Sequence, residues 1–227
     1  MSQVGTARAS VDTKRDASFR YGIVLLIVLV LLVFEVLTPE TDLSRAVGIA
    51  LAGGALSVSV ATSRARAEVR RVRTVSVGAL AALVVIGILV GAVSDTATYV
   101  IGTMLIAAIP IALGGGLLRL IRDEGVTVQA VAGALAVYLL VGLLFASAIA
   151  FVTKVESAPY FAQGSQINNG DIVYYSFTVM TTTGFGDYTA AHPIGHALAV
   201  LEMLIGQLYL VTVIGVLIGN FVGRTRR

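Results

Sequence analysis

The sequence has no cysteine, only two histidines and few charged residues. Without cysteine the chain has no disulfide, no thiol chemistry and no thiolate metal site. His192 and His196 are too few for a histidine-rich metal centre. Charged residues make up 13% of the chain, whereas soluble domains carry about 25%. Together with 57% hydrophobic residues and a mean hydropathy of +0.91, this scarcity of charge indicates a membrane protein.

The basic residues are almost all arginine, and they are not arranged for nucleic acid. No basic face alternates with aromatic residues, so we expect no nucleic-acid partner. The first apolar run, which follows Arg20, has no small-residue cleavage site of the kind that ends a secretory signal. We therefore expect this run to be retained as a spanning helix.

Long apolar stretches recur along the chain. A membrane-spanning helix needs about 20 mostly apolar residues, and six stretches come close to that length. The sequence therefore predicts an all-α membrane protein. The predicted transmembrane helices cover residues 21–37, 43–62, 75–93, 98–118, 126–152 and 193–222.

Basic and acidic segments alternate between these helices. The N-terminal tail, the loops after the second and fourth helices and the C-terminal end are basic, and the loop after the first helix is acidic. Basic segments stay in the cytoplasm, so both termini are predicted to be cytoplasmic, in a multi-pass protein of the plasma membrane. The basic loop after the second helix is a candidate contact for anionic lipid headgroups, through Arg64, Arg66, Arg70, Arg71 and Arg73.

A polar segment, Thr181 to Asp187, interrupts the apolar sequence before the last helix and reads TTTGFGD. Irregular backbone at membrane depth is tolerated only where it is buried or lines a watery path. Gly184 and Gly186 have no Cβ penalty at positive φ, so alternating dihedrals can turn successive carbonyls to one side. A ring of such carbonyls replaces the hydration shell of K⁺ in potassium channels. The string from Thr182 to Gly186 resembles the selectivity filter of the potassium-channel pore family.

The resemblance covers about residues 168–222 and implies a potassium-selective channel. One chain carries one filter, so a closed ring requires a homotetramer. The family conducts K⁺ passively, without an organic cofactor and without enzyme activity. Phe185 stands where the family usually has tyrosine, and Thr183 where it has valine or isoleucine. The implied filter residues are Thr182, Thr183, Gly184, Phe185 and Gly186, with K⁺ held by the carbonyls of the first four and the Thr182 hydroxyl.

A short re-entrant pore helix is predicted before the filter, between the fifth and sixth transmembrane helices. Asp171 is predicted to cap it, because its carboxylate can accept backbone N–H bonds in the first turn. The negative pole of the helix dipole would then face the central cavity. In the resembled family the acid after the filter, here Asp187, bonds an aromatic residue of the pore helix. Tyr175 falls at that position, beside Tyr174.

Glu202 lies deep in the apolar run of the last helix. An ionisable residue there is a functional hypothesis by default, and the alternative is a neutral residue that packs helices together. We expect Glu202 to support the filter by bonding hydroxyls behind it, with Thr178 and Thr183 as the candidates.

Gly206 lies at the spacing where the resembled family has its inner-helix hinge glycine, and close helix packing is the alternative role. By the same resemblance, one face of this helix lines the cavity. Ile214 and Ile218 would form a hydrophobic gate on that face. Its predicted members are Gln207, Leu210, Ile214 and Ile218.

Six transmembrane helices with a pore after the fifth are also the layout of voltage-gated channels. A voltage sensor needs several arginines on its fourth helix, but residues 98–118 contain neither arginine nor lysine. We therefore expect weak voltage dependence or none. The predicted domains are a cytoplasmic tail (1–20), a non-sensing four-helix domain (21–122) and a pore domain (123–227), in a chain whose size and arginine bias suggest a bacterial source.

Two other functions fit parts of the sequence. Gly184 to Asp187 also matches the Gly-x-Gly-Asp string of intramembrane aspartyl proteases, which need a second aspartate in an adjacent helix. Asp95 is the only other candidate near a helix and is predicted in an outer loop, so this function is disfavoured. A subunit of a potassium-uptake transporter is the nearer alternative, although such proteins carry four degenerate pore loops in one chain.

Overall fold

The computed structural model describes residues 20–39, 41–62, 67–156, 158–164 and 167–219. Within these residues the chain is helical, and the only extended pairing is one isolated bridge. The helices are α1 (Arg20–Leu37), α2 (Asp42–Thr62), α3 (Ala67–Leu89), α4 (Asp95–Glu124), α5 (Val128–Val155), α6 (Asn169–Met180) and α7 (Pro193–Leu208), the last continuing through a π-helical segment (Tyr209–Ile214).

Four of these helices are long and apolar enough to cross a membrane: Asp42–Val60, Thr96–Asp123, Val128–Val155 and Pro193–Gly219. The segments Tyr21–Leu37 and Thr74–Leu89 are shorter apolar helices. All six predicted helices are therefore found in the described part of the chain. Four of the six have the length and composition of membrane spans. That all six cross the membrane stays a prediction.

Capping residues set the boundaries around the α4–α5 connection. The Ser94 side chain accepts a hydrogen bond from Ala97 N and begins α4, while Gly125, at φ 72°, ends it. The Thr127 side chain then accepts from Ala130 N and begins α5. Each cap satisfies an N–H group that has no partner inside its helix. Only three residues therefore separate the first four helices from the outer helix of the predicted pore domain.

Helix α1 lies along α5. At the start of both helices, Gly22 N donates to the side-chain oxygen of Gln129 at 3.2 Å. A Cβ on Gly133 would lie 2.8 Å from the Tyr21 ring, so this glycine permits the close approach. One apolar core runs through the molecule without a break between the two predicted domains. It includes Val28 of α1, Ile109 of α4, Leu140 of α5 and Ile172 of α6.

A second connection ties the loop before α6 to the loop after it. Phe161 and Ala190 form an antiparallel bridge, in which Ala162 N donates to Thr189 O at 2.9 Å and Ala191 N donates to Tyr160 O at 2.8 Å. The segment between the two bridged residues contains α6 and the TTTGFGD loop. Both ends of this segment are therefore held together beside α7.

Candidate ion-conduction site

The short helix α6 begins with a reciprocal cap. The Asn168 side chain accepts from Asp171 N at 2.9 Å, and the Asp171 carboxylate accepts from Asn168 N at 3.1 Å. This corrects the predicted cap: Asp171 is the third helical residue, and Asn168 is the N-cap. The arrangement is a capping box, with aspartate at the position that is usually glutamate or glutamine.

The loop after α6 folds back onto the last turn of that helix. Thr183 N and Gly184 N both donate to the carbonyl oxygen of Thr178, at 2.9 and 3.1 Å, and Thr182 N donates to Val179 O at 2.9 Å. Thr178 therefore supports the loop through its backbone carbonyl. The N–H groups of Thr182, Thr183 and Gly184 therefore point towards α6.

The backbone dihedrals of the loop alternate. Thr182, Gly184 and Gly186 have φ of 55°, 54° and 82°, and the residues between them are not in the positive-φ region. The positive φ at the two glycines agrees with the prediction from their missing Cβ. Within the described part of the chain, no hydrogen bond is accepted by the carbonyl oxygens of residues 182–185. These four oxygens are available to a ligand.

The whole loop is exposed in the single chain. All residues from Thr181 to Asp187 are exposed, and Phe185 reaches 68%. The loop is therefore accessible to a neighbouring chain. The exposure therefore fits a loop that lies between chains.

Two side chains hold the inner end of the loop. Gln207 of α7 donates from Nε2 to the Thr182 hydroxyl oxygen at 3.0 Å, and this hydroxyl donates to Thr181 O at 2.7 Å. The Thr183 hydroxyl lies 2.8 Å from the Thr181 hydroxyl. The predicted support of Thr183 by Glu202 is therefore replaced by a contact within the threonine run.

Aromatic and acidic side chains brace the outer end of the loop, with one correction. The Asp187 carboxylate lies close enough to the Tyr174 hydroxyl to raise the pKa of this phenol, and it accepts a hydrogen bond from Tyr188 N at 3.1 Å. The ring of Tyr174 also stacks on Phe185, with centroids 6.3 Å apart and planes 3° apart. Tyr174, and not the predicted Tyr175, is thus the partner of Asp187.

Tyr175 lies on the opposite side of α6, in an aromatic cluster. Its ring meets Phe161 edge to face at 5.0 Å and Tyr160 at 6.4 Å. Successive helical residues point about 100° apart, so adjacent tyrosines cannot both face the loop. Tyr188 adds a second outer contact, because the neighbouring Asp171 carboxylate raises the pKa of its phenol.

Glu202 is fully buried behind α6 and bonds a different hydroxyl from those predicted. Its Oε1 is hydrogen-bonded to the Ser176 hydroxyl, which also lies 2.8 Å from Gly142 O of α5. The Thr178 hydroxyl bonds instead to Tyr175 O at 2.8 Å. Ser176 replaces Thr178 and Thr183 because it lies on the side of α6 that faces α5 and α7.

The protonation state of Glu202 follows from counting hydrogens. A serine hydroxyl has one proton, and the Gly142 carbonyl can only accept. Both bonds of Ser176 form together only if Ser176 donates to Gly142 and Glu202 donates to Ser176. The other carboxyl oxygen of Glu202 is buried without a partner, which also disfavours a charge. Glu202 is thus a neutral acid that links α5, α6 and α7.

The structure changes the roles predicted for α7. A Cβ on Gly206 would lie 2.5 Å from Met180 O, so this glycine packs against the end of α6. The predicted cavity stripe does not form one exposed face: Ile214 is only 6% exposed, in the core, while Ile218 is 48% exposed. Leu210 also packs against the core. The four residues do not share one face because the π-helical segment Tyr209–Ile214 has more residues per turn than an α-helix. The residues that follow it are therefore rotated about the helix axis.

The predicted lipid contact lies mostly outside the described residues. Arg64 and Arg66 fall in the gap between α2 and α3. Arg71 is an exposed residue of α3, whereas the side chains of Arg70 and Arg73 are also outside the described set. The lipid contact therefore stays a prediction.

Comparison with known proteins identifies one segment. Residues 137–222 match the family model described as "Ion channel". The match begins in α5 and takes in α6, the loop and α7. Neither a curated protein nor a solved structure gives a significant match to this chain.

Proposed function

Residues 137–222 belong to the potassium-channel pore family, and from this premise we propose that the protein is a passive, potassium-selective channel. The observation that carries the proposal is the loop of residues 182–186, where positive φ alternates along the chain and four successive carbonyls have no partner in the described part of the chain. Such carbonyls can replace the water around a dehydrated potassium ion.

Four chains would form the conducting unit, with the loops meeting on a shared axis. The exposure of the loop, and of Phe185 in particular, supports an interface at this position. Closed rotational symmetry would let the same surface of each chain contribute one quarter of the ion path. In the bacterial plasma membrane, with both termini cytoplasmic, the arginines after α2 would contact anionic lipids.

The rival functions have less support. An aspartyl protease would need a pair of aspartates that share a proton. Asp187 is instead exposed, and it accepts a hydrogen bond from Tyr188 N. A potassium-uptake subunit remains the second candidate, because it would use the same loop geometry.

Ion flux from proteoliposomes tests the proposal. Wild-type protein in liposomes should support K⁺ flux at least about 100-fold above Na⁺ flux, since a filter that distinguishes the ions by about 2.8 kcal/mol gives this ratio. Equal K⁺ and Na⁺ flux would contradict selectivity, and the absence of flux under both gradients would contradict passive conduction.

A matched pair of glycine substitutions separates filter geometry from general damage. A Cβ added at Gly186 or at Gly78 meets nothing within 4 Å, but only Gly186 has a positive φ, of 82°. Gly186→Ala should therefore abolish K⁺ flux through backbone strain of about 1–2 kcal/mol, and Gly78→Ala should leave it unchanged. Equal fluxes in the two variants would show that the loop does not conduct.

A further inference from the structure

The outer end of α1 contacts the first turn of α6. Glu35, in the last turn of α1, accepts a hydrogen bond from the side-chain amide of Asn169, the first residue of α6. The adjacent residues also meet: a Cβ on Gly170 would lie 2.5 Å from Val36 O. Any larger residue at Gly170 would separate the helices. The two helices are therefore joined by one polar bond and one close backbone contact.

Helix α2 confines the same carboxylate from the other side. A Cβ on Gly48 would lie 2.7 Å from Glu35 Oε1. Glu35, Gly48 and Asn169 also line a cavity of about 100 Å³ among α1, α2, α4, α5 and α6. The Glu35 side chain is thus held between α2 and α6, and its position depends on both.

The charge of Glu35 suits this place. The N-terminus of a helix carries the positive pole of the helix dipole, which a carboxylate stabilises. The capping box satisfies Asn168 N and Asp171 N, while Glu35 bonds the Asn169 side chain and lies beside the helix N-terminus. A hydrogen bond that involves a charged group is stronger than a neutral one.

The other end of α6 holds the filter loop. This helix has 12 residues, and its Thr178 carbonyl accepts the N–H groups of Thr183 and Gly184. A short helix moves nearly as a rigid body, so a shift at Asn169 displaces Thr178 as well. A displacement at the Glu35–Asn169 contact therefore reaches the loop through α6.

We propose that Glu35 is a positioning residue for the filter, and that through it the first four helices brace the pore helix from its outer end. The proposal rests on the proposed function, since it concerns the same loop. It assigns α1 and α2 a structural role in ion selection that requires no sensor charge.

A double-mutant cycle tests the contact. The variants are Glu35→Ala, Asn169→Ala and the double variant, with Leu37→Ala, 76% exposed on the same helix, as the matched control. Each single variant should lower the ratio of K⁺ to Na⁺ flux by about tenfold, the loss expected of a hydrogen bond to a charged group. The double variant should lower it by less than the product of the two single effects, because both changes remove the same bond. Glu35→Gln keeps an acceptor and should restore most of the ratio.

Amide hydrogen exchange in lipid nanodiscs gives a second reading that does not need conduction. Glu35→Ala should speed exchange in α6 by about tenfold and leave exchange in α3 unchanged. Unaltered α6 exchange with an unaltered flux ratio, or effects of the two single variants that add in the double, would overturn the proposal. A wild-type protein without selectivity would contradict the proposed function instead. The hydrogen-exchange comparison of Glu35→Ala with the wild type would still decide whether Glu35 holds α6.

Discussion

At the scale of single residues, Thr182 is the least expected feature. A β-branched residue at positive φ is an outlier in folded proteins, yet Thr182 has φ of 55°. Three contacts hold it there: its N–H donates to Val179 O, its hydroxyl donates to Thr181 O, and the same hydroxyl accepts from Gln207. The alternation of positive φ thus begins two residues earlier than the glycines alone predict. Nothing local in the sequence indicates this, because the contact with Gln207 joins distant segments.

The neutral state of Glu202 leads to a prediction that separates two substitutions. Glu202→Gln keeps a neutral donor for Ser176 and should unfold at a temperature close to that of the wild type. Ser176→Ala leaves Glu202 without its partner and removes the second hydrogen bond of the Gly142 carbonyl, and should destabilise the assembly by about 1–3 kcal/mol. Thermal unfolding of the detergent-purified assembly measures both.

Ser76→Ala is the matched control, because Ser76 is an exposed helical residue of α3 and its loss should change little. If Glu202→Gln unfolds as early as Ser176→Ala, the carboxyl is charged in the folded protein and the proton count is wrong.

At the scale of helices, α7 combines tight packing with an irregular turn. Gly206 contacts Met180, and three residues later the helix widens into the segment Tyr209–Ile214. Tyr209 begins this segment, donates from its hydroxyl to Ala134 O at 2.8 Å and stacks on Tyr138. Wide turns of this kind often produce kinks at functional sites. Any bend of α7 is therefore expected in the π-helical segment and not at Gly206.

Substitution of Gly206 tests packing against hinge motion. Gly206→Ala would place a Cβ 2.5 Å from the Met180 carbonyl and should destabilise the assembly by about 1–3 kcal/mol, as overpacking does. Gly219→Ala meets nothing within 4 Å and serves as the control in the same thermal unfolding experiment. A Gly206→Ala variant of unchanged stability with altered opening kinetics would support the hinge role instead.

The helices themselves were largely predictable, because runs of apolar residues at membrane length are a strong local signal. The boundaries were less so: α4 extends from Asp95 to Glu124, since the Ser94 cap and Gly125 lie outside the apolar run. Asn168 and Asp171 give similar N-cap signals, so the sequence does not tell which of them caps α6. The prediction for Tyr175 follows from the resemblance and fails because adjacent residues of α6 face different sides. The prediction for the α7 stripe follows from helical spacing and fails because the helix changes its pitch.

At the scale of the whole molecule, the first four helices and the pore segment share one core. Voltage sensors work by moving charge across the field, at about 2.3 kcal/mol per charge per 100 mV. In α4 the basic residues Arg119 and Arg122 lie near its C-terminal end. The basic residues of α4 thus lie at one end of the helix.

Contacts such as those of Glu35 with Asn169 and of Ser176 with Glu202 join residues far apart in sequence. No periodic pattern of the sequence therefore predicts them.

The conductance should therefore depend weakly on voltage. In planar bilayers with symmetrical KCl, the open probability should change less than about tenfold over 100 mV, which corresponds to less than about 0.6 of a moving charge. Steep activation that requires many charges per channel would show that some of these helices move through the field.

The central claim is that four copies of the 182–186 loop meet on one axis and present their carbonyl oxygens to potassium. A cryo-electron microscopy reconstruction of the purified protein in lipid nanodiscs with KCl tests this most directly. We expect a fourfold axis, with the carbonyls of Thr182, Thr183, Gly184 and Phe185 facing it and ion density between them. A reconstruction in which the loops lie away from any shared axis, or in which these oxygens turn into the protein, would contradict it.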